Sequence, residues 1–192
     1  MSRRILRTIA TLALAGLFVV VLATLLHRAT RNLALPLSDA GIIREQAAEK
    51  QLDPALIAAV IYAETKFDPR PSSAGAQGLM QILPSTAYYL AHLSGGVSFT
   101  ASDLANPSVN VAYGSYYLRY LLDHYGGNQM LAVAAYNGGL GNVDKWVAQA
   151  QSEGKPLSVE EIPFAQTREY VHRVLGAERA YRATYPRQLG LE

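Results

Sequence analysis

Cysteine is absent from all 192 residues. That absence excludes disulfides, zinc–thiolate centres, thiol nucleophiles and iron–sulfur clusters together, and it removes the thiol that a lipoprotein anchor needs. Charge is scarce at 17%, while half of the residues are hydrophobic, a balance that excludes a disordered chain. A basic surplus is also missing where a nucleic-acid binder would need one. The formal net charge is +2, but Arg3, Arg4, Arg7, Arg28 and Arg31 all precede residue 32, where no acidic residue occurs; from Asn32 onward 12 basic residues face 15 acidic ones. This argues against nucleic acid as a partner. The four histidines, His27, His92, His124 and His172, lack metal-ligand spacing. There is no Gly-x-Ser-x-Gly elbow and no Gly-Lys-Ser/Thr phosphate loop. Internal repeats and clear strand signals are lacking too.

One long apolar run is present. Thr8–Leu26 holds 19 residues without a charge, and as a helix it would reach about 28 Å, close to the hydrocarbon thickness of a bilayer. The flanking arginines favour a cytoplasmic N-terminus and an exported remainder. The preferred reading is an uncleaved signal anchor over 1–26 followed by a linker over 27–37. Val21 and Ala23 also fit a cleavage pattern, so a cleaved signal peptide is the rival. Either way the body, 38–186, lies outside the cytoplasm, with 187–192 as a tail.

The body reads as a single all-α domain. Asp53-Pro54 is a cap followed by proline at the first helical position, opening a helix that runs to about Ala63. Thr86–Leu93 is a short helical stretch. Asn106-Pro107 repeats the cap-plus-proline signal in a helix closed by Gly126-Gly127, with Val109, Tyr113, Tyr116, Tyr117, Tyr120 and Leu121 as its apolar stripe and hence as core. Met130–Tyr136 is compact and apolar and ends at Gly138-Gly139. Pro163 opens a last helix with Phe164, Val171, Val174, Leu175 and Tyr181 inward and Arg168, Glu169, His172 and Arg173 outward. Residues 68–78 and 94–105 read as loops.

Glu64 interrupts this pattern. The helix Pro-Ala-Leu-Ile-Ala-Ala-Val-Ile-Tyr-Ala-Glu is apolar nearly all round, and Leu56, Val60 and Glu64 share one face at i, i+4, i+8. Burial and the negative pole of the helix should both raise the Glu64 pKa, as a general acid requires. The competing reading is a surface glutamate paired with Lys66 or Arg70. No second carboxylate is evident, apart from Asp68 beyond the helix end, which argues against an ordinary two-carboxylate glycosidase. The glycine-rich loop Ser72–Gln81 can bring backbone close to a ligand. The twelve tyrosines combine flat apolar faces with hydroxyls, which suits sugar rings.

These residues, in order, resemble the catalytic domain of soluble lytic transglycosylases, the SLT or glycoside hydrolase family 23 type related to goose-type lysozyme. The resemblance runs from about Ile42 to Tyr185. Ala63-Glu64-Thr65 with Phe67-Asp68-Pro69 looks like the catalytic glutamate segment. Ser72 and Gly75-Ala76-Gln77-Gly78-Leu79-Met80-Gln81 match the Gly-Leu-Met-Gln loop, followed by Leu83-Pro84-Ser85-Thr86. Asn106-Pro107, Asn110, Gly114 and Tyr117-Leu118 match the next helix. Ala135-Tyr136-Asn137-Gly138-Gly139 and Ile162-Pro163 with Thr167–Val171 complete the set. Gln166 departs from the pattern, which usually has glutamate there.

The resemblance implies a lysozyme-like fold and cleavage of the MurNAc-β-1,4-GlcNAc bond of peptidoglycan with formation of 1,6-anhydro-MurNAc ends. It gives Glu64 the role of acid and then base, Tyr170 that of orienting Glu64, and Ser72, Met80, Gln81, Tyr136 and Asn137 that of lining sugar subsites. It implies no metal and no organic cofactor. The expected partners are glycan strands and, through the N-terminal helix, the periplasmic side of the inner membrane; the chain is expected to be a monomer. A hydrolytic muramidase on the same fold and a membrane-tethered glycan-binding module without turnover are the alternatives.

Overall fold

In a computed structural model of the chain, the residues described are 13, 16–23, 35–70, 72–95 and 99–192. The chain divides into two units, Met1–Pro36 and Leu37–Glu192. Within the first, residues 16–23 are helical and exposed. Among the described residues no helix is long and apolar enough to cross a membrane. The membrane-crossing helix expected over Thr8–Leu26 is therefore not found there; about half of that run, and most of the linker expected over 27–37, lie outside the described residues.

The second unit begins with α1 (Ala40–Lys50), a helix that sequence reading missed because its inner face, Ile43, Gln46 and Ala47, includes a buried glutamine. α2 (Pro54–Thr65) starts as expected: the Asp53 carboxylate accepts the Ala55 amide at 2.8 Å, and Pro54 occupies the first turn. Residues Ala55 to Ile61 are no more than 2% exposed, so this helix is buried all round, as its composition requires. It ends abruptly because Lys66 and Phe67 both take left-handed backbone, φ 52° and 62°.

Beyond the loop comes α3 (Pro84–Ser94), then a 3-10 turn (Ala101–Ala105) held by a Thr100–Asp103 capping box, α4 (Pro107–His124) and α5 (Gln129–Gly138). The 3-10 turn falls within 94–105, a segment expected to be loop. α6 (Leu140–Ser152) was not anticipated. Sequence reading stopped at the Gly138-Gly139 pair, whereas Gly139, at φ 84°, turns the chain directly into a new helix. A second 3-10 turn (Val159–Glu161) leads to α7 (Ala165–Thr184) and the short α8 (Pro186–Leu189). The segment set apart as a tail thus includes Leu189, which is buried.

Among the described residues the only β pairing is the isolated Gln77–Ile82 bridge, so the unit is all-α. Its core is α2 packed most extensively on α7, with α5 against both α4 and α7. The inner face of α7 is Thr167, Tyr170, Val171, Val174, Ala177 and Tyr181. Phe164, expected inward, is instead 48% exposed and packs edge-on against Trp146. α4 brings a second correction. It buries Asn110, Val111, Gly114, Ser115, Leu118, Leu121 and Leu122, while Tyr113, Tyr116, Tyr117 and Tyr120 are only half-buried. Of the stripe read as core, Leu121 is buried as expected, whereas Val109 and the four tyrosines form the face next to the core, because small residues let α4 approach its neighbours on the Gly114 side.

Candidate active site

Glu64 sits in the last turn of α2, the most buried helix of the unit, and opens into a cavity of about 370 Å³ lined also by Ala63, Thr65, Lys66, Asp68, Arg70 and Gln81. Tyr170, 3% exposed on the inner face of α7, donates its hydroxyl to Glu64 Oε1 at 2.7 Å. Burial pushes the Glu64 carboxyl up to about 7, against the opposing pull of the Tyr170 hydrogen bond and the Arg173 charge. Among the described residues no ion pair joins Glu64 to Lys66 or Arg70; Arg70 pairs instead with Asp68 at 2.7 Å. A carboxyl group half-protonated near neutrality can give up a proton and take one back.

The loop 72–82 is fixed to this helix end by buried polar groups. Thr65 Oγ1 donates to the Leu79 carbonyl at 2.8 Å. The Ser72 hydroxyl accepts the Ala76 amide at 2.9 Å, closing the turn. Asn110, fully buried in α4, accepts the Met80 amide at 2.8 Å and donates to the Gln77 and Leu104 carbonyls at 2.8 and 3.1 Å. Gly78, at φ 73°, passes so close to Asn110 that a Cβ there would collide with its amide and meet the Leu104 carbonyl at 2.6 Å. Gly114 leaves the space that the Met80 side chain fills.

The residues expected at the site are thus distributed unevenly. Glu64 and Gln81 line the cavity, and Tyr170 reaches the Glu64 carboxyl group from α7. Gln81 takes left-handed backbone, φ 49°, and its amide donates to the Gly78 and Arg70 carbonyls. Tyr136 donates to the Met80 carbonyl at 2.9 Å; burial, and next the Glu64 charge, push its hydroxyl well above the ordinary range. Asn137 Oδ1 accepts from Thr167 Oγ1 at 2.9 Å, which ties α5 to α7. The Met80 side chain is fully buried against Gly114, so its carbonyl is what meets Tyr136. Ser72 is engaged in its own turn. Gln166 is exposed at the start of α7. Sequence reasoning did not single out Thr65, Asn110 and Thr167 as organisers of the site, although a buried asparagine inside an apolar helix was a signal available there. Among the described residues no group of three His, Asp or Glu side chains is placed to hold a metal ion.

The Transglycosylase SLT domain profile matches residues 41–158. The "Soluble lytic murein transglycosylase" of Escherichia coli (strain K12) is 31% identical over 150 residues, covering 77% of this chain and 23% of that protein. The "Membrane-bound lytic murein transglycosylase C" of Salmonella paratyphi B is 32% identical over 164 residues, 74% of this chain and 46% of that protein. The chain therefore spans less than half the length of these relatives. In structure it resembles the 70 kDa soluble lytic transglycosylase of Escherichia coli, with a TM-score of 0.74 and 30% identity over 80% of this chain and 25% of that one. The lytic transglycosylase Slt of Pseudomonas aeruginosa gives 0.71 and 30% over 79% and 25%. With a matched profile over most of the folded unit and the same lysozyme-like all-α fold, the chain belongs to the transglycosylase SLT domain family.

Proposed function

We propose that this protein is a lytic transglycosylase that cleaves the MurNAc-β-1,4-GlcNAc bond of peptidoglycan and leaves 1,6-anhydro-MurNAc ends. The observation that carries the reading is Glu64, held at about 7 by burial, hydrogen-bonded by Tyr170 and facing an open cavity. In the protonated form Glu64 gives its proton to the glycosidic oxygen as the bond breaks. The substrate's own N-acetyl oxygen stabilises the positive charge at C1, which replaces the second carboxylate of other glycosidases. The resulting Glu64 carboxylate then takes the proton of the C6 hydroxyl, whose oxygen closes on C1. Tyr170 donates to the carboxylate and holds it in line through both steps. Gln81, Tyr136 and Asn137 border the sugar positions, and no cofactor takes part.

The N-terminal run Thr8–Leu26 and its arginines support a further part of this reading: the catalytic unit works on the periplasmic side of the inner membrane, tethered by that run or released from it by cleavage. Mass spectrometry of muropeptides released from purified sacculi tests the chemistry. Anhydro-muropeptides, one water lighter than hydrolytic products, are the expected outcome. Release of reducing MurNAc ends alone would make the enzyme a muramidase.

A further inference from the structure

α3 and the segments around it carry no fixed charge. Residues 71–102 contain no Asp, Glu, Lys or Arg, in a chain that is 17% charged. α3 buries Ala87, Leu90 and Ala91 against the fold. Its opposite side is not the polar face that water ordinarily selects: Leu83, Tyr88, Tyr89 and Leu93 are between 39% and 50% exposed, with His92 exposed among them. α2, apolar on both sides, is covered on both; α3 is covered on one. The exposed rings are held in place. Tyr88 meets Phe99 edge to face at 5.3 Å, and Phe99 packs at 4.7 Å on Tyr113 of α4. Tyr89 meets Tyr120 edge to face, with the two hydroxyls 3.2 Å apart. At the end of the helix, Ser94 shares a cavity of about 170 Å³ with Lys50, Ala112, Tyr113 and Tyr116. The Lys50 ammonium stands 5.5 Å from the centre of the Tyr116 ring and pairs with Glu49.

Exposed tyrosine and leucine without charge, bordered by a lysine, suit a lipid headgroup layer. Rings and aliphatic groups enter the acyl boundary, while hydroxyls and the ammonium stay among the headgroups. The N-terminal apolar run makes a bilayer the occupant at hand. Residues 27–37, between that run and the folded unit, extend at most about 40 Å, so a unit tethered by the run stays within reach of the lipid surface. A short tether turns docking into an intramolecular event at an effective concentration on the order of millimolar, at which four half-exposed side chains suffice. The face leaves out the catalytic cavity, since none of the residues lining that cavity falls within 83–102.

We propose that the outer face of α3, with Leu83, Tyr88, Tyr89 and Leu93 as its contacts, seats on the phospholipid bilayer and orients the catalytic unit on it. The inference rests on the tethered reading under the proposed function and goes beyond it: the tether sets a distance, and this face sets which side of the unit meets the membrane.

The absence of cysteine permits labelling at a single site. The full chain is reconstituted into vesicles of phosphatidylethanolamine and phosphatidylglycerol, with an environment-sensitive fluorophore at Leu93→Cys on α3 or, as control, at Gln151→Cys on α6, both exposed positions. Lipids carrying a nitroxide on the upper acyl chain are the quencher. The label at position 93 should be quenched at least about threefold more than the label at 151, since an interfacial helix lies about 5–10 Å into the headgroup and acyl boundary. Tyr88→Glu, added to the Leu93→Cys chain, should remove the difference; His92→Glu decides where thermal melts show that Tyr88→Glu does not fold. Equal quenching of the two labels, or a difference that persists with glutamate in the face, overturns the proposal. A label at 93 in an apolar setting that the lipid quencher does not reach also overturns it and assigns the face to a second copy or a protein partner. Vesicle flotation separates this inference from the reading beneath it. A chain that floats with its label at 93 in water keeps the tether and loses the face, whereas a chain that does not float loses both. No part of the test needs turnover, so the glycan-cleaving chemistry stands or falls apart from it.

Discussion

A carboxyl group whose pKa stands near 7 couples activity and stability to the same proton. The charged form of Glu64 is disfavoured by burial, and Tyr170 and Arg173 recover only part of that loss. In the proposed mechanism bond cleavage needs the protonated form, so kcat/KM should be level below about pH 7 and fall about tenfold per pH unit above it; a pH–rate profile on soluble glycan strands measures this. Glu64→Gln keeps the shape but carries no transferable proton, and its turnover should fall by about 10²–10⁴-fold or more, because in the proposed mechanism one group serves both steps. The stability effect has the opposite sign. The folded-state pKa lies above the reference value of 4.5, so the wild type loses stability between about pH 4.5 and 7, where the unfolded chain has released the proton that the fold still holds, and loses no more once the group has ionised in the fold as well. Glu64→Gln should therefore melt higher than wild type at about pH 8, by on the order of 1 kcal/mol after discounting for partial exposure, and level with it near pH 4. Melting curves at the two pH values check it. The Tyr170 hydrogen bond lowers the Glu64 pKa, so Tyr170→Phe should move the descending limb of the profile to higher pH while lowering kcat about tenfold or more. A profile left in place would show that Tyr170 serves packing alone.

At the scale of elements, the loop 72–82 is as precise as the helices that hold it. Asn110 is its main support, and Asn110→Ala would leave the Met80 amide and the Gln77 and Leu104 carbonyls without that partner in the interior. The expected cost is about 2–4 kcal/mol, seen as a lower melting temperature. Gly114→Ala would drive a methyl group into the Met80 side chain and should cost about 1–3 kcal/mol. These supports mark where the sequence was legible and where it was not. α2 could be read from its cap, its proline and its apolar run, and Glu64 stood out because it broke that run. α1 could not, since its buried face includes Gln46. α6 was hidden by a glycine pair that looks like a stop and acts as a turn. The tyrosine stripe on α4 misled because large aromatic side chains at helical spacing read as core, while the close approach of helices selected Gly114, Ser115 and Asn110 for the interior. The distances that make Met80 a structural side chain and Thr65 a clamp depend on tertiary contacts that no local pattern encodes.

At the scale of the whole molecule, Leu37–Glu192 holds every residue of the candidate site and its own core. A chain shortened to that unit should unfold cooperatively and cleave purified sacculi at a rate within about threefold of the full chain, since a tether changes where an enzyme works more than what it does. Calorimetry and a sacculus-release assay check both halves of this expectation. The central claim, that Glu64 moves one proton out and another back while the substrate closes on itself, makes water a bystander. Digestion of sacculi in heavy-oxygen water followed by mass spectrometry of the released muropeptides tests it most directly. The account predicts products one water lighter than their hydrolytic counterparts and free of the heavy isotope, and their disappearance with Glu64→Gln. Heavy oxygen at the MurNAc C1, or undiminished release by the folded Glu64→Gln protein, would contradict it.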